Sequence, residues 1–439
     1  MLAPLLYNLL LLAASPLLLL YLGYRLGVQG KSRQGLGERW GGVPRLGPPP
    51  AAGRIWVHAV SAGEMVAAAA VVRRLHELDP KIEVAVSTTT PAGRQQAERL
   101  LPAAVARFYF PFDFLPCTLA ALLRIRPTVV CPIETEIWPN WLWLARVLGC
   151  RAALVNGQFA DKGFRRARHA RPLYRWALHR LNALHVQTAR AAERALFLGA
   201  PPERLRVAGN VKFEQTISAL PAETEALLRR RLELDSGRPV WVAGSTHPGE
   251  EDQVLDAFQQ AHTCAPELVL LLAPRHIERA PDVLAAVRAR GWSADRRSST
   301  ETGPVEVLVL DTMGELAAVY ALASVVFVGG SLAPIGGHDI LQPLFHGRPV
   351  LFGPHMHNQH DLARLALDSG AALQVTDARE LAAAVGRVCT DVCFCDDLAA
   401  AGRLLLADNA GAARAAAELL RSLARPGMSG GREPALGAR

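Results

Sequence analysis

The chain has 439 residues, 50% hydrophobic and 20% charged, which is too long for one core and too apolar for disorder to be its default state. A formal charge of +8 implies an anionic partner, but zinc-finger spacing, an RNP-type aromatic motif and a basic tail are all missing, which disfavours nucleic acid. The seven cysteines are odd in number and scattered, and Cys389, Cys393 and Cys395 match no common zinc pattern, so they read as reduced thiols of a cytosolic compartment.

Met1 to Tyr24 carries no charged side chain, and 9–22 is almost purely apolar. That length suffices for a bilayer-spanning helix, which needs about 20 residues. A cleaved signal peptide would carry basic residues ahead of its apolar run; none stands there, although Ala13-Ala14-Ser15 resembles a cleavage site. Arg25, Lys31, Arg33, Arg39 and Arg45 follow and place the rest of the chain on the cytoplasmic side. Pro16 would bend a spanning helix, so a helix lying in the membrane plane stays open.

After the linker Gly47-Pro48-Pro49-Pro50, strand-like runs at 55–60, 83–87, 128–133, 152–155 and 183–187 alternate with helix-like segments such as 64–78, 91–101 and 139–148. The stretch 211–224 reads as an interdomain linker. The alternation resumes with strands at 239–244, 268–272, 305–310, 325–328 and 349–351 and helices at 251–262, 281–290, 313–322 and 378–388, followed by a last helix at 412–424. The expected fold class is α/β: two Rossmann-like domains facing across a cleft, behind an N-terminal membrane-anchoring helix. The expected boundaries are 1–46 for the anchor and its basic flank, 47–215 and 216–424 for the two domains, and 425–439 for a disordered tail.

A dehydrogenase is excluded at the first strand–helix turn, where Ser61-Ala62-Gly63-Glu64 lacks G-x-G-x-x-G; a Walker A loop is missing as well. The glycine-rich loop comes late, from Gly329-Gly330-Ser331 to Gly336-Gly337-His338-Asp339. Its backbone N–H groups suit an anion, and a simple glycine turn is an equally common reading. Glu64 sits at the carboxyl edge of the first strand, where open α/β sheets bind ligands. Two readings of it stand: a proton acceptor kept anionic by the helix N-terminus, or a plain cap of that helix.

Six loops at carboxyl ends of strands carry unusual polar residues: Ser61 to Glu64; Glu134-Thr135-Glu136; Gly209-Asn210-Val211-Lys212; Pro274-Arg275-His276; Asp311-Thr312-Met313-Gly314-Glu315; and the glycine loop. Six on one edge of two sheets exceeds what capping alone explains. Lys162, Arg165, Arg166, Arg168, Arg171, Arg175 and Arg180 crowd one segment with Phe164, Tyr174 and Trp176. It reads either as a site for anionic headgroups or acceptor phosphates, or as a solvated helix face.

Taken with Gly37-Glu38-Arg39-Trp40-Gly41, Ser245-Thr246-His247-Pro248-Gly249-Glu250-Glu251 and Ile137-Trp138-Pro139-Asn140, these loops resemble, in order and spacing, the 3-deoxy-D-manno-octulosonic acid (Kdo) transferases. The resemblance runs from the apolar N-terminus to about Ala424. It implies an inverting, metal-independent GT-B glycosyltransferase without cofactor, at the cytoplasmic face of the bacterial inner membrane. Such an enzyme moves Kdo from CMP-Kdo to the lipid A precursor in lipopolysaccharide synthesis. It implies Glu64 as general base and Glu134 and Lys212 as transition-state stabilisers, a role Glu136 could share. Pro274, Arg275, Met313, Gly314, Glu315, Asp339, Ile340, Leu341 and Gln342 fall at positions implied to contact CMP. One departure stands out: many members carry His-Asn-x-x-Glu where this chain has His338-Asp339-Ile340-Leu341-Gln342. Two rival readings remain: a GT-B enzyme using a UDP- or ADP-sugar, and a lipid-binding scaffold that keeps only the fold.

Overall fold

The structure, a computed structural model, describes residues 2–27, 34–215, 217, 219–300 and 303–425. Its first sheet contains β1 (Arg54–His58), β2 (Glu83–Thr88), β3 (Ala106–Tyr109), β4 (Val129–Pro132), β5 (Arg151–Gly157), β6 (Ala183–Val186) and β7 (Leu205–Val207). The second contains β8 (Val240–Thr246), β9 (Val269–Pro274), β10 (Ala294–Arg296), β11 (Val307–Val309), β12 (Val325–Val328), β13 (Val350–Phe352) and β14 (Ala372–Gln374). Among the described residues each sheet has seven strands, paired in parallel, in the orders β3-β2-β1-β4-β5-β6-β7 and β10-β11-β9-β8-β12-β13-β14. Both are doubly wound.

Side chains on successive strand residues alternate between two apolar layers, as pleating demands. Ile55, Val57, Val84, Val86, Val129 and Cys131 pack into one cluster, whereas Trp56, Ala85, Val130 and Leu154 pack into the other. With helices on both faces, central strands read as unbroken apolar runs, and β1 is buried at all five positions. All seven cysteines are unpaired.

Strand order reverses between β1 and β4 in the first sheet and between β8 and β12 in the second. These reversals open a crevice at the carboxyl edge of each sheet. The loops that leave those four strands carry Glu64, Glu134 with Glu136, His247 with Glu250, and the glycine-rich run.

The chain divides into two compact units, Met1–Gln215 with Asn409–Arg439, and Thr216–Asp408. This corrects the expected placing of the last helix in the second domain. Helix Ala412–Ala424 packs on helix Ala62–Leu78 of the first unit. The reason is compositional. Ala413, Ala416, Ala417 and Leu420 meet Ala67, Ala68 and Val71, and small side chains on both helices permit close approach. Glu214 secures the start of this helix by accepting Gly411 N–H at 2.9 Å and Ala413 N–H at 2.7 Å.

The first helix spans Leu2–Gly27 and includes Pro16. Tyr7 donates to Asp113 Oδ2 at 3.0 Å, and Asn8 and Asn140 exchange a reciprocal amide pair at 2.8 and 2.9 Å. Leu5, Leu6, Leu9, Leu10, Leu12, Leu17 and Leu20 are exposed. Among the described residues, no helix is long and apolar enough to cross a membrane, so the spanning form of the expected anchor does not follow from this helix. The tail expected at 425–439 lies, from Pro426 on, outside the described residues, as do Lys31 and Arg33.

Candidate functional site

In the first unit, Ser61 caps helix Ala62–Leu78. Its hydroxyl accepts Glu64 N–H at 3.3 Å and donates to Glu64 Oε1 at 3.1 Å, while Glu64 Oε2 accepts Val60 N–H at 2.8 Å. The capping reading of Glu64 is therefore correct as geometry, and such caps contribute about 1 kcal/mol. They do not set its ionisation. Burial first, then the negative charge of Glu134, raise its pKa above the ordinary value, against the lowering by Val60, Ser61 and Lys212. Contrary to the expectation of a helix-stabilised anion, this carboxylate has an enhanced affinity for protons.

Glu134 leaves β4 in the left-handed region, φ 59°, a conformation that costs a non-glycine residue about 1–2 kcal/mol. Lys212 Nζ stands 2.7 Å from its Oε1. Lys212 lies in the 3-10 turn Val211–Glu214, held at each step: Asn156 Oδ1 accepts Val211 N–H at 3.1 Å, and Asn210 Oδ1 accepts Lys212 N–H at 3.0 Å. Glu136 completes the group. Burial and the charges of Glu64 and Glu134 push its pKa up to about 7, opposed by the 2.9 Å hydrogen bond from Trp138 Nε1. Below it His58 is fully buried and, by burial, pushed down to about 3, so its 3.8 Å approach to Glu136 is not an ion pair at neutral pH. One cation and three mutually repelling carboxylates thus gather at the first sheet's switch point.

In the second unit the glycine-rich loop does converge its N–H groups, but on the chain's own Glu250. That fully buried carboxylate accepts from His247 (2.9 Å), Gly330 (2.7 Å), Ser331 (2.9 Å), Leu332 (2.8 Å) and Ala333 (3.1 Å). The expected anion cradle is occupied from within. Gly329 must be glycine, because a Cβ there would lie 2.5 Å from Ser245 O. The loop in turn presents His338, whose Nε2 is 2.8 Å from His247 Nε2. Burial, then neighbouring His247 and Arg275, push His338 down to about 4.

Arg275 is exposed beside this pair, while Pro274 is buried in the strand end. Met313 is exposed, Gly314 takes φ 85°, and Glu315 accepts from Thr312 Oγ1 at 2.6 Å and Arg297 at 3.3 Å. The helix expected at 313–322 is one turn, Leu316–Val319, running into a 3-10 turn, too short to supply the N-terminal dipole anticipated for an anion. Ile340 and Leu341 are fully buried, backbone included, and Leu341 N–H is donated to Asp339 Oδ1, so neither residue is open to a ligand in this structure. Among the described residues, no group of three or more His, Cys, Asp or Glu gathers to hold a metal ion.

The arginine-rich segment forms two amphipathic helices, Asp161–His169 and Arg171–Leu178. Arg168 and Arg171 lie over the Phe197 ring, and Arg165, His169 and these groups line an open depression of about 500 Å³.

The family model described as 3-Deoxy-D-manno-octulosonic-acid transferase (kdotransferase) matches residues 34–215. The 3-deoxy-D-manno-octulosonic acid transferase of Bordetella pertussis is 38% identical over 78% of this chain and 80% of its own length. That of Haemophilus influenzae is 30% identical over 94% and 97%. The chain belongs to the Kdo transferase family. It is a glycosyltransferase, and its two parallel-sheet α/β domains are of the GT-B type. The fold is shared with a putative UDP-N-acetylglucosamine 2-epimerase from Listeria monocytogenes, at TM-score 0.58 and 14% identity over 84% of this chain and 95% of that one.

For a Kdo transferase, the one departure from the family pattern is informative. Asp339 Oδ2 accepts from Gln342 Nε2 at 3.3 Å, and Oδ1 accepts Leu341 N–H at 2.9 Å. An Asn–Glu pair at these positions would join the same two side chains with donor and acceptor exchanged. Of the residues that shape this Kdo transferase's two crevices, His58 and Glu250 had no role assigned from sequence. An ionisable residue inside an apolar strand was the available signal for His58; a Glu opening a helix, as Glu250 does, gave none beyond an ordinary first-turn acid.

Proposed function

We propose that this Kdo transferase moves Kdo from CMP-Kdo to the lipid A precursor, a tetraacyl disaccharide bisphosphate, in lipopolysaccharide synthesis. The observation that carries the reading is the cluster of Glu64, Glu134, Glu136 and Lys212 at the first domain's switch point, in a chain of this family. Glu64 takes the proton of an acceptor hydroxyl as that oxygen attacks the anomeric carbon from the face opposite the phosphate, which inverts configuration. A carboxylate with raised proton affinity suits this step, because the hydroxyl becomes acidic only as bonding develops. Glu134 offsets positive charge growing on the sugar, and Lys212 offsets negative charge on the departing phosphate.

On the second domain, Arg275 binds the cytidylate phosphate, since an exposed guanidinium offers a bidentate fork that never loses its charge. Met313, Gly314, Glu315, Asp339 and Gln342 complete the nucleotide site, with Ile340 and Leu341 supporting it from the core. With Arg275 and Lys212 supplying the positive charge, the reaction proceeds without a divalent metal. The exposed leucines of helix Leu2–Gly27 attach the enzyme to the cytoplasmic face of the inner membrane.

The test is incubation of the protein with CMP-Kdo and the tetraacyl bisphosphate acceptor in chelator, with mass spectrometry of the lipid. A mass increase of one or more Kdo units is expected. No product from CMP-Kdo, with turnover of a UDP- or ADP-sugar instead, would overturn it.

A further inference from the structure

Asn156, next to last in β5, takes φ 58°, and Glu134, just after the neighbouring β4, takes φ 59°. Left-handed backbone is costly for a residue with a side chain, and asparagine tolerates it better than most. The strand register shows what the bend does. Leu154 pairs with Leu184 and Gly157 with Val186, so Val155 and Asn156 together face the single residue His185. Such a bulge is rare between parallel strands, and it re-aims the side chain that it carries. Ala153 and Val155 pack in one layer and Leu154 in the other, so strict alternation would send Asn156 to the layer of Leu154. Instead Asn156 Oδ1 accepts, at 3.1 Å, the N–H of Val211, whose own side chain lies in the layer of Val155. A backbone N–H can only donate, which fixes the orientation of the amide. The cost falls on its other arm: Asn156 is 1% exposed, and its Nδ2 has no acceptor among the described residues.

A left-handed bulge and an unsatisfied amide both work against stability, so the one bond they permit calls for a use. That bond closes a ring. Glu134 N–H is donated to Val155 O at 3.0 Å, Val211 N–H to Asn156 Oδ1, and Lys212 Nζ meets Glu134 Oε1 at 2.7 Å. We propose that Asn156 is the positioning residue of the transfer site, fixing the turn Val211–Glu214 so that the Lys212 ammonium is held at Glu134. This rests on the transfer reading above, in which Lys212 and Glu134 act on the reacting groups. Lysine reaches its partner through a flexible stem, and the Lys212 side chain is 26% exposed, so a loosened turn lets the ammonium spread into water. Asn210 Oδ1 accepts Lys212 N–H from within the turn, and Asn156 ties the turn's first residue to the sheet edge that carries Glu134.

The experiment compares wild type, Asn156→Gly, Lys212→Met, the double variant of these two, and Val211→Pro. Glycine takes a positive φ freely, so Asn156→Gly deletes the amide while relieving both the strain and the orphaned donor. Val211→Pro deletes the donor of the same bond, at the first position of the turn, where proline's missing N–H is tolerated; it stands in should Asn156→Gly not fold. Thermal midpoint, kcat and KM are measured for each, with the Lys212 13Cε resonance of the protein without substrate. The chain has four lysines, and Lys212→Met identifies the signal. Asn156→Gly is expected to melt within a few degrees of wild type, to lower kcat about tenfold or more with KM for both substrates little changed, and to move the Lys212 resonance. Val211→Pro moves kcat and the resonance in the same directions. On the Lys212→Met background, Asn156→Gly is expected to change kcat by less than about twofold, because the group it positions is already gone. The proposal is overturned if the two losses multiply, or if the Lys212 resonance stays in place. It is equally overturned if the variants melt far lower while kcat, at a temperature where they are folded, stays that of wild type, which would leave Asn156 a structural residue. Failure of the transfer reading is distinguishable: wild type then makes no product, while the resonance still reports whether Asn156 holds Lys212.

Discussion

Lys212 Nζ meets Glu134 Oε1 at 2.7 Å, joining a turn after β7 to a strained residue after β4. The Glu134 side chain is 13% exposed, so removing its partner leaves a poorly solvated charge next to two further carboxylates. Lys212→Met should destabilise the first domain by about 1–3 kcal/mol, less than a fully buried pair because Lys212 itself reaches water. Adding Glu134→Gln should restore most of that stability and none of the transfer. Denaturant melts with a product assay separate the two effects.

Glu64→Gln should preserve the helix cap, since the amide oxygen still accepts Val60 N–H, and should leave stability within about 0.5 kcal/mol. Transfer should fall by about 10²–10⁴, the usual contribution of a general base. Glu64→Ala should lose the same activity and about 1 kcal/mol more of stability. Wild-type-like turnover by Glu64→Gln removes it from the mechanism.

Burial raises two carboxyls of the first domain, Asp113 and Glu136, to about 7. In the unfolded chain such groups titrate near about 4. The folded state therefore binds more protons between these values, and the stability gained is complete below the unfolded pKa and lost as pH rises through about 7. The thermal midpoint should fall between about pH 5.5 and about pH 8, and Asp113→Asn with Glu136→Gln should flatten that slope. A midpoint that rises over this range contradicts the assignment.

Glu250 neutralises five converging N–H groups, and nothing else described in the chain fills that role. Glu250→Ala should cost about 2–4 kcal/mol in the second domain, by leaving several buried donors unsatisfied. It should also weaken binding of CMP, measured by calorimetry, because His247 and His338 lose their support. Unchanged unfolding would show that solvent substitutes freely there.

The exchanged Asp339–Gln342 pair makes a double-mutant cycle informative. Asp339→Asn with Gln342→Glu should bind CMP as wild type does. Gln342→Glu alone should set two carboxylates against each other and weaken binding by about 1–2 kcal/mol. Additive single effects would show that the two side chains act independently.

The interior of both sheets was legible from composition because central strands buried on both faces have to be continuous apolar runs, as at 55–57 and 268–272. The four strands that escaped notice, β3, β7, β10 and β14, are the edges of the two sheets. An edge strand is short and partly solvated, so its residues need not be apolar. Leu205-Arg206-Val207 and Ala294-Asp295-Arg296 read as loops for that reason. Polar loops at the carboxyl edge were visible too, because backbone direction fixes where strand ends lie. What was hidden is who bonds to whom: that Glu250 fills the glycine loop, and that Trp56 and His58 both meet the Ser87 hydroxyl. These contacts join residues far apart along the chain and leave no local periodicity.

The return of helix Ala412–Ala424 to the first unit makes that unit discontinuous, with Thr216–Asp408 inserted into it. A growing polypeptide cannot complete the discontinuous unit until Ala412–Ala424 has been synthesised, so the inserted unit reaches its native contacts first. Cutting the chain short near Asn409 would strip an alanine seam from Ala67, Ala68 and Val71, and would damage the N-terminal half while sparing the segment beside the cut.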